Sequence, residues 1–423
     1  MANNTDSNIT RKVIRAFVSE MEAQRVVTKE IDTQTFKGEF TPQRGDNVDI
    51  KRPHQYKAKR TNTGDISALT ANDIISGKAT ATVQQYITVD IDWTNKEEAT
   101  RLDQLKEIVA PAASEAIQEL ETSFIDYAIQ NAGLSYGTPG TVVDAWGDVA
   151  GARSLMNAIG VPQSGPINYI MNDFTVENLA NTQAGLNSSD KLVNTAWQRA
   201  QISTPFAGLQ AMTSNGLSTW TSSDASDRAG ALDGAPDATY VTHKDSYIQS
   251  IDVDGLSANA VVKAGDIIEY STKYYVNQVT RKPIFGKDGA KVKFRQTVTA
   301  DATMDGTGAG TLLVTGPAVY DSTGQYRFIN AALADGDVFT ILGAASTEYQ
   351  PNLFFCKEAF AMAFVKLPKL NGWDTIATTK DGISMRVTKY SDGDKNTQKV
   401  RIDLLPAFGT MNPFFAGKGF GVA

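Results

Sequence analysis

Between residues 238 and 345 the apolar residues change period, and this constrains the fold more than any other feature of the chain. Short β-type runs recur there, in VVKAGDIIEY, YYVNQV, KVKFRQTV and TLLV, separated by the Gly/Asp turns AGD, KDGA, DGTGAG and ADGD. Strand side chains alternate between two faces, so closely spaced runs joined by such turns point to a small antiparallel barrel or sandwich. Before residue 210 the sequence reads largely helical, and after 345 mixed sequence resumes. The chain therefore carries a self-contained β module in its interior, with long α/β sequence on both sides.

The flanking sequence is legible in pieces. Residues 9–30 place Ile9, Val13, Ile14, Phe17, Val18, Met21 and Val26 on one helical face, which must pack on this chain's core or a neighbour's. Residues 36–80 are polar, carry Gly38, Pro42, Gly45, Pro53, Gly64 and Gly77, and have too few large apolar residues for a core. They read as an extended hairpin or long loop, with NVDIKRP as a short strand. ATVQQYITVDIDW, 81–93, alternates as one half-buried strand, with Val83, Ile87, Val89, Ile91 and Trp93 on one face. Thr94-Asn95-Lys96-Glu97 is a capping-box pattern opening a helix that runs to about Asn131 and stops at Gly133. Pro111 predicts a kink near 107–111 or a helix built from two segments.

Residues 134–215 alternate helix and strand: DAWGDVAGARSLMNAIG is helical, INYIMN a strand, and DFTVENLANTQAG a helix with Asp173 in cap position. Residues 216–237 are rich in Ser, Asp, Gly and Ala and read as a loop or linker. YQPNLFFCKEAFAMAFVKL is a mostly apolar return to the flanking fold. DGISMRVTKY and TQKVRIDLLPAFG then form a hairpin, with Ile383, Met385 and Val387 on one arm, Val400, Ile402 and Leu404 on the other, and SDGDKN at the tip.

Composition excludes several classes of function. A chain of 423 residues suggests two to three domains, and 41% hydrophobic with 21% charged residues is ordinary for a globular protein. A formal charge of −7 argues against a dedicated nucleic-acid binder. The start MANNTDSNIT is not a secretory signal, and no run has the length of a membrane span. The lone Cys356 reads as a small buried hydrophobe rather than a nucleophile. His54 and His243 have no partner at metal-ligand spacing. Gly306, Gly308 and Gly310 precede a strand instead of opening a helix, so they form a turn and not a phosphate cradle. Glu97-Glu98 and Asp252/Asp254 read as solvated surface, and Asp301, Asp305 and Asp321 do not fit a calcium loop. No catalytic constellation, metal site or cofactor site is expected.

Charge is nevertheless unevenly placed. Residues 41–60 hold Arg44, Lys51, Arg52, Lys57, Lys59 and Arg60 against Asp46 and Asp49. Residues 221–260 hold Asp224, Asp227, Asp233, Asp237, Asp245, Asp252 and Asp254 against Arg228 and Lys244. These are two solvated loops, or complementary surfaces that meet between copies of the chain. On the second reading the six basic residues with Asp224, Asp227, Asp233 and Asp237 are the candidate inter-subunit contacts, and Arg52→Glu or Asp237→Lys would impair assembly while leaving the fold soluble.

The order of segments, with DAWGDVAGARSLM then INYIMNDF, AGDIIEY then VTADATMDGTGAGTLLVTGPAV, and NLFFCKEAFAMAF then DGISMRV, resembles the major coat protein of short-tailed lambdoid phages, the P-twenty-two-like group. The resemblance implies an α+β fold of the tailed-phage, Hong Kong-type capsid class. Residues 1–35 would be its N-arm, 36–80 its E-loop, and 81–133 the strand and spine helix of the peripheral domain. Residues 134–215 would begin the axial domain, 216–345 would be an inserted antiparallel β-barrel domain, and 346–423 would complete the axial and peripheral domains. The E-loop would lie across an adjacent subunit. The implied function is self-assembly, with a scaffolding protein, into pentamers and hexamers of an icosahedral head. Portal protein and non-specifically held double-stranded DNA are the other implied partners, with no membrane. Assembly in the host cytoplasm and residence in the virion follow. A non-enzymatic β-module binding or adhesive protein of small oligomeric state is the alternative, against which the lack of a signal peptide counts. A hydrolase using scattered carboxylates lacks any constellation to support it.

Overall fold

A computed structural model describes residues 14–20, 22, 24–33, 35, 45–69, 71–94, 105–162, 165–184, 198–199, 202–203, 205–322, 324–372, 374–379, 381–392 and 397–422. Asn95–Glu97 of the capping box, Arg44, and the hairpin tip at 393–396 lie outside the described residues. The chain forms two compact units, one from Met1–Ile50, Thr80–Ile125 and Phe360–Thr410, the other from Lys51–Ala79, Asp126–Ala359 and Met411–Ala423.

The first unit holds two four-stranded sheets. In one, Ser384–Asp392 and Thr397–Leu404 form the expected hairpin, flanked by Thr375–Thr378 and Ile87–Thr94. Its register pairs Met385 with Leu404 and Val387 with Ile402, and Ile383, Met385, Val387, Val400, Ile402 and Leu404 are all buried. The other sheet runs in the order Asn47–Lys51, Lys78–Val83, Pro406–Thr410, Phe360–Phe364. The single strand expected at 81–93 is therefore two. Lys78–Val83 pairs with Pro406–Thr410 and Ile87–Thr94 with Thr397–Leu404, in different sheets. Gln84–Tyr86 make the crossing, with the Gln84 amide donating to the Pro406 carbonyl. Alternation reports which face a residue takes, not which strand it pairs with, so it survives the break.

The long helix is described over Leu105–Asn131 and runs through Pro111 without interruption, about 40 Å at ~1.5 Å per residue. Phe124 is fully buried between Phe360 and Phe408, both edge-on at 5.6 Å. One turn earlier, the buried Glu121 accepts from the Val26 amide (2.6 Å) and the Val27 amide (2.9 Å). Burial holds that carboxyl above its ordinary pKa even against these donors. Phe17, Val27 and Ile31 are buried in the same unit, and Arg25 pairs with Asp381 at 2.9 Å. The described N-terminal segment thus packs on its own chain's core. Asp403 is also fully buried here, accepting from Arg386 (2.5 Å), Arg401 (2.6 Å) and Thr88 (2.8 Å).

The second unit is built on a six-stranded mixed sheet in the order Leu134–Tyr136, Ala416–Gly419, Asn352–Cys356, Ile167–Met171, Leu209–Thr213, Pro205–Phe206. Ile167–Met171 and Asn352–Cys356 are buried at every position, which is why they read as continuous apolar runs. The helices Trp146–Ile159 and Asp173–Ala184 belong to this unit. The cap of the second is Asn172 rather than Asp173: the Asn172 Oδ1 accepts from the Thr175 amide at 2.8 Å, and Asp173 is already helical.

The β module is a closed barrel of six strands, in the order Ile248–Asp254, Gly310–Thr315, Lys293–Val298, Ile267–Tyr274, Val338–Ile341, Ala229–Leu232. Ile251, Ile268, Tyr270, Phe294, Leu312 and Phe339 are fully buried. Val261–Val262 pairs outside the barrel, with Ala302–Thr303. The segment expected to be a linker, 216–237, supplies the closing strand Ala229–Leu232. Its sequence AGAL lacks β-branched residues, and at one position the reason is packing, since a Cβ on Gly230 would meet the Phe339 ring at 2.6 Å.

The barrel is tied to the sheet of its unit by polar joints. Asn277 Nδ2 donates to the Ala158 carbonyl (2.6 Å) and the Gln278 amide to the Ile159 carbonyl (2.8 Å), satisfying open carbonyls at a helix end. Thr297 Oγ1 donates to the Ala132 carbonyl at 2.7 Å. Deepest is Lys418, wholly buried on Ala416–Gly419, whose Nζ donates to the Gly265 carbonyl at 2.6 Å and lies 5.3 Å from the Trp220 ring. Beside it, buried Asp266 accepts from Ser222 Oγ (2.8 Å) and from the Ser223 and Lys263 amides (both 3.0 Å). Burial pushes the Lys418 ammonium down to about 7, against a partly offsetting attraction to Asp266. Between that pH and the ordinary lysine pKa the unfolded chain binds the extra proton, so stability rises with pH across this window. Relative to Lys418→Met, the parent chain is expected to gain on the order of a few kcal/mol from pH 7 to 10. Urea melts of both chains across that range measure it, and a difference that stays constant with pH refutes it.

Candidate inter-subunit surface

Residues 53–77 leave the strand Asn47–Lys51 as an arm that contains no strand or helix among its described residues and returns into Lys78–Val83. Along its basic stretch Lys51 and Arg60 are exposed and Lys57 and Lys59 half-buried. Lys57, Lys59 and Arg60 line one groove of about 870 Å³, which Tyr240, Gln325 and Tyr326 close from the barrel side.

Arg52 behaves differently from its neighbours. It is 4% exposed, and its guanidinium donates to the Lys78 carbonyl (2.7 Å), the Asp245 carbonyl (3.1 Å) and the Met411 carbonyl. The same group lies 4.0 Å from the Tyr247 ring centroid. Five fixed donors on a planar fork suit a site made of diverging carbonyls and an aromatic face. Burial lowers its pKa, with the Tyr247, Tyr240 and Asp245 groups acting in the opposite sense. Arg52 therefore leaves the set of residues available to a neighbouring subunit; it holds the base of the arm to its own chain. Gly77 completes that base, since a Cβ there would stand 2.5 Å from the Lys244 carbonyl oxygen.

The acidic residues are all exposed but are not gathered into one patch by a common contact. Asp224 accepts from the Val261 amide at 2.7 Å and Asp227 from the Ala229 amide at 3.3 Å, at the entrance to the barrel. Asp233 follows the closing strand. Asp237 accepts from the Thr239 amide (2.8 Å) and from Thr242 Oγ1 (2.5 Å), and these bonds hold its carboxyl below the usual range. It thus has a local capping role, which Asp237→Lys would remove along with any contact to a neighbour. Sequence pattern does not single out Tyr247, Asp266 or Lys418. Only Lys418 leaves a signal there, as a lone charge inside the apolar run FFAGKGFGV.

Cys356 is buried and its thiol is pushed up to about 12 by that burial. Both ring nitrogens of His243 face backbone carbonyls, those of Ile248 and Asp237. Among the described residues no group of three or more His, Cys, Asp or Glu could hold a metal, and no helix is long and apolar enough to cross a membrane.

Residues 1–421 match the family model described as P22 coat protein, gene protein 5. The chain belongs to the P22 coat protein family. It is 38% identical over 430 residues to the major capsid protein of Acyrthosiphon pisum secondary endosymbiont phage 1, with all of both chains covered. Among solved structures it is similar to one of Mycobacterium phage Che8 (TM-score 0.47, 10% identity, covering 93% of this chain and 90% of that one). It is also similar to the capsid structure of cyanophage P-SCSP1u (TM-score 0.43, 9% identity, covering 94% and 89%). A phage coat protein is a structural component of the virion shell, and the α+β architecture with an inserted closed barrel is the fold expected of this one. The reading as a small adhesive or ligand-binding protein has no support.

Proposed function

We propose that this coat protein forms pentamers and hexamers which, guided by a scaffolding protein in the host cytoplasm, close into an icosahedral head joined to a portal. The carrying observation is that the family match spans residues 1–421 of the 423 in the sequence. The role is architectural and non-catalytic. A chain of net charge −7 suits a container that holds double-stranded DNA without gripping its phosphates. In this reading residues 1–35 act as N-arm, 36–80 as E-loop, 81–133 as peripheral strand and spine helix, and 216–345 as the inserted domain. Residues 134–215 and 346–423 complete the axial and peripheral domains.

Sedimentation velocity of the full chain expressed with its scaffolding partner tests the proposal. A narrow, very fast boundary is the expected result; a small species alone, with the partner folded and present, overturns it. The charged surfaces supply a second test, with Arg52 and Asp237 set aside because each has an internal role. Arg60→Glu or Asp233→Lys is expected to slow shell formation about fivefold, the equivalent of roughly 1 kcal/mol at an exposed contact. The urea midpoint of the unassembled chain should not move. If both reversals assemble at the parent rate, the charge-pairing component of the reading is wrong.

A further inference from the structure

The sequence contains two Asn-Gly steps, Asn215-Gly216 and Asn371-Gly372. Such a step can react with itself. Glycine has no side chain to hinder its backbone nitrogen from approaching the carboxamide of the residue before it. The reaction needs a carboxamide free to swing and a glycine N–H free to lose its proton. Asn371-Gly372 meets both needs. It lies on the loop that leads from Phe360–Phe364 in one sheet of the first unit to Thr375–Thr378 in the other. Both residues are exposed, and neither the Asn371 carboxamide nor the Gly372 N–H is hydrogen-bonded to a described residue. The backbone around the step is held in a bend. The Leu370 and Asn371 amides both donate to Asp374 Oδ2, at 2.7 and 2.8 Å, and the Asp374 amide donates to the Asn371 carbonyl at 3.2 Å. At the other step Gly216 is buried and its N–H is occupied, donating to Ser214 Oγ at 3.2 Å.

We propose that Asn371 is a site of spontaneous modification, at which the folded chain deamidates with water as the co-reactant. The Gly372 nitrogen attacks Asn371 Cγ. An N–Cγ bond forms, the Cγ–Nδ2 bond breaks, and the nitrogen leaves as ammonia with the proton lost from Gly372. Water then opens the resulting succinimide ring at either carbonyl, giving aspartate or isoaspartate, and nothing is oxidised or reduced. Each event adds one negative charge to a chain whose formal charge is −7. The new carboxylate arises beside Asp374, which is 2% exposed and whose Oδ1 has no hydrogen-bond partner among the described residues. Like charges at such a place repel with little screening. Isoaspartate also lengthens the main chain by one carbon, which draws the Leu370 and Asn371 amides away from Asp374. The same loop supplies the Pro368 carbonyl, which accepts from Arg386 at 2.9 Å, so loosening reaches the side chain that pairs with buried Asp403. This chemistry needs no partner copy and stands apart from the assembly reading.

The test incubates the full, unassembled chain at mildly alkaline pH, samples it over days, and maps its peptides by mass spectrometry. The peptide holding Asn371 should gain about one mass unit and split into two isomeric products. Asn215 should lag at least about fivefold, the worth of one hydrogen bond on the Gly216 N–H. In urea the two sites should convert at similar rates, because that protection is then gone. A folded chain in which Asn371 converts no faster than Asn215 overturns the proposal. Gly372→Ala supplies a second reading, since a Cβ there meets nothing within 4 Å and the position is not left-handed, so the fold should tolerate it. It should slow conversion of Asn371 several-fold, and an unchanged rate would show that the Gly372 nitrogen is not the attacking group. Asn371→Asp mimics one product. It should raise hydrogen exchange across 366–372 several-fold, and exchange equal to the parent's would refute the loosening of the loop.

Discussion

Arg52→Glu is expected to abolish soluble expression of the chain, not merely to slow assembly. The substitution would put a carboxylate among the Lys78, Asp245 and Met411 carbonyls, which now accept from the guanidinium. It would also remove the cation from the Tyr247 ring. Acceptors would then face an acceptor in a site only 4% exposed. Leaving an uncompensated charge in such a place costs about 3–5 kcal/mol, a large fraction of the 5–15 kcal/mol that holds a typical domain together. Arg52→Lys should be milder, near 1–2 kcal/mol, because a cation remains while the fork is lost. The soluble fraction and the urea midpoint of the unassembled chain measure both. Wild-type solubility for Arg52→Glu would show that the arm base opens to water.

Asp403→Ala should be comparably damaging in the other unit. Its carboxylate is fully buried and is the acceptor for the buried Arg386 guanidinium as well as for Arg401 and Thr88. Burial by itself would raise its pKa; the Arg386, Arg401 and Thr88 hydrogen bonds outweigh that and hold it below the ordinary value. Truncation would strand Arg386 in the sheet at a cost of about 3–5 kcal/mol. Adding Arg386→Met should recover some of the loss, because a buried pair replaced whole by apolar side chains is often near neutral. The sign with pH is fixed too. A depressed folded pKa contributes stability that is present above the unfolded carboxylate pKa and lost as pH falls through the folded one. The parent should therefore weaken on acidification below about pH 4 more than Asp403→Ala does, as melts from pH 7 down to 2 would record. A double variant no better than the single one would mean that Arg386 has other compensation, and the pairing account would fail.

Much of this fold could be read from local pattern. The hairpin at 384–404 was legible because both arms alternate strictly with an apolar face buried at every second residue. The barrel was legible because its strands are punctuated by glycine and aspartate turns. What escaped is what depends on distant partners. Ala229–Leu232 is a strand because Val338–Ile341 and Ile248–Asp254 pair with it, and Gly230 leaves room there for the Phe339 ring. Gln84–Tyr86 separate a pair of sheets whose identities are decided some 310 to 320 residues later in the chain, by Thr397–Leu404 and Pro406–Thr410. The cap fell one residue early because Asn172 and Asp173 are chemically alike and only the geometry chooses. The candidate surface divides in the same way. Exposure of Lys51, Arg60 and the four aspartates follows from their polar surroundings, whereas burial of Arg52, with Arg44 beyond the described residues, depends on Tyr247 and Met411 arriving from elsewhere.

The position of Ala416–Gly419 bears on how the protein is made. The barrel needs nothing after residue 341 and can close while the ribosome is still translating the remainder. The sheet beside it cannot, because Ala416–Gly419 lies between Leu134–Tyr136 and Asn352–Cys356 and is almost the last segment to emerge. A chain lacking Ala416–Gly419 would present two unpaired strand edges and lose the Lys418 joint to Gly265, leaving the barrel held by its Asn277, Gln278 and Thr297 contacts. Such a product is fit for proteolysis rather than for incorporation. Closure of this sheet is thus a late event in synthesis, set by the one strand that joins residues 134–136 to residues 352–356.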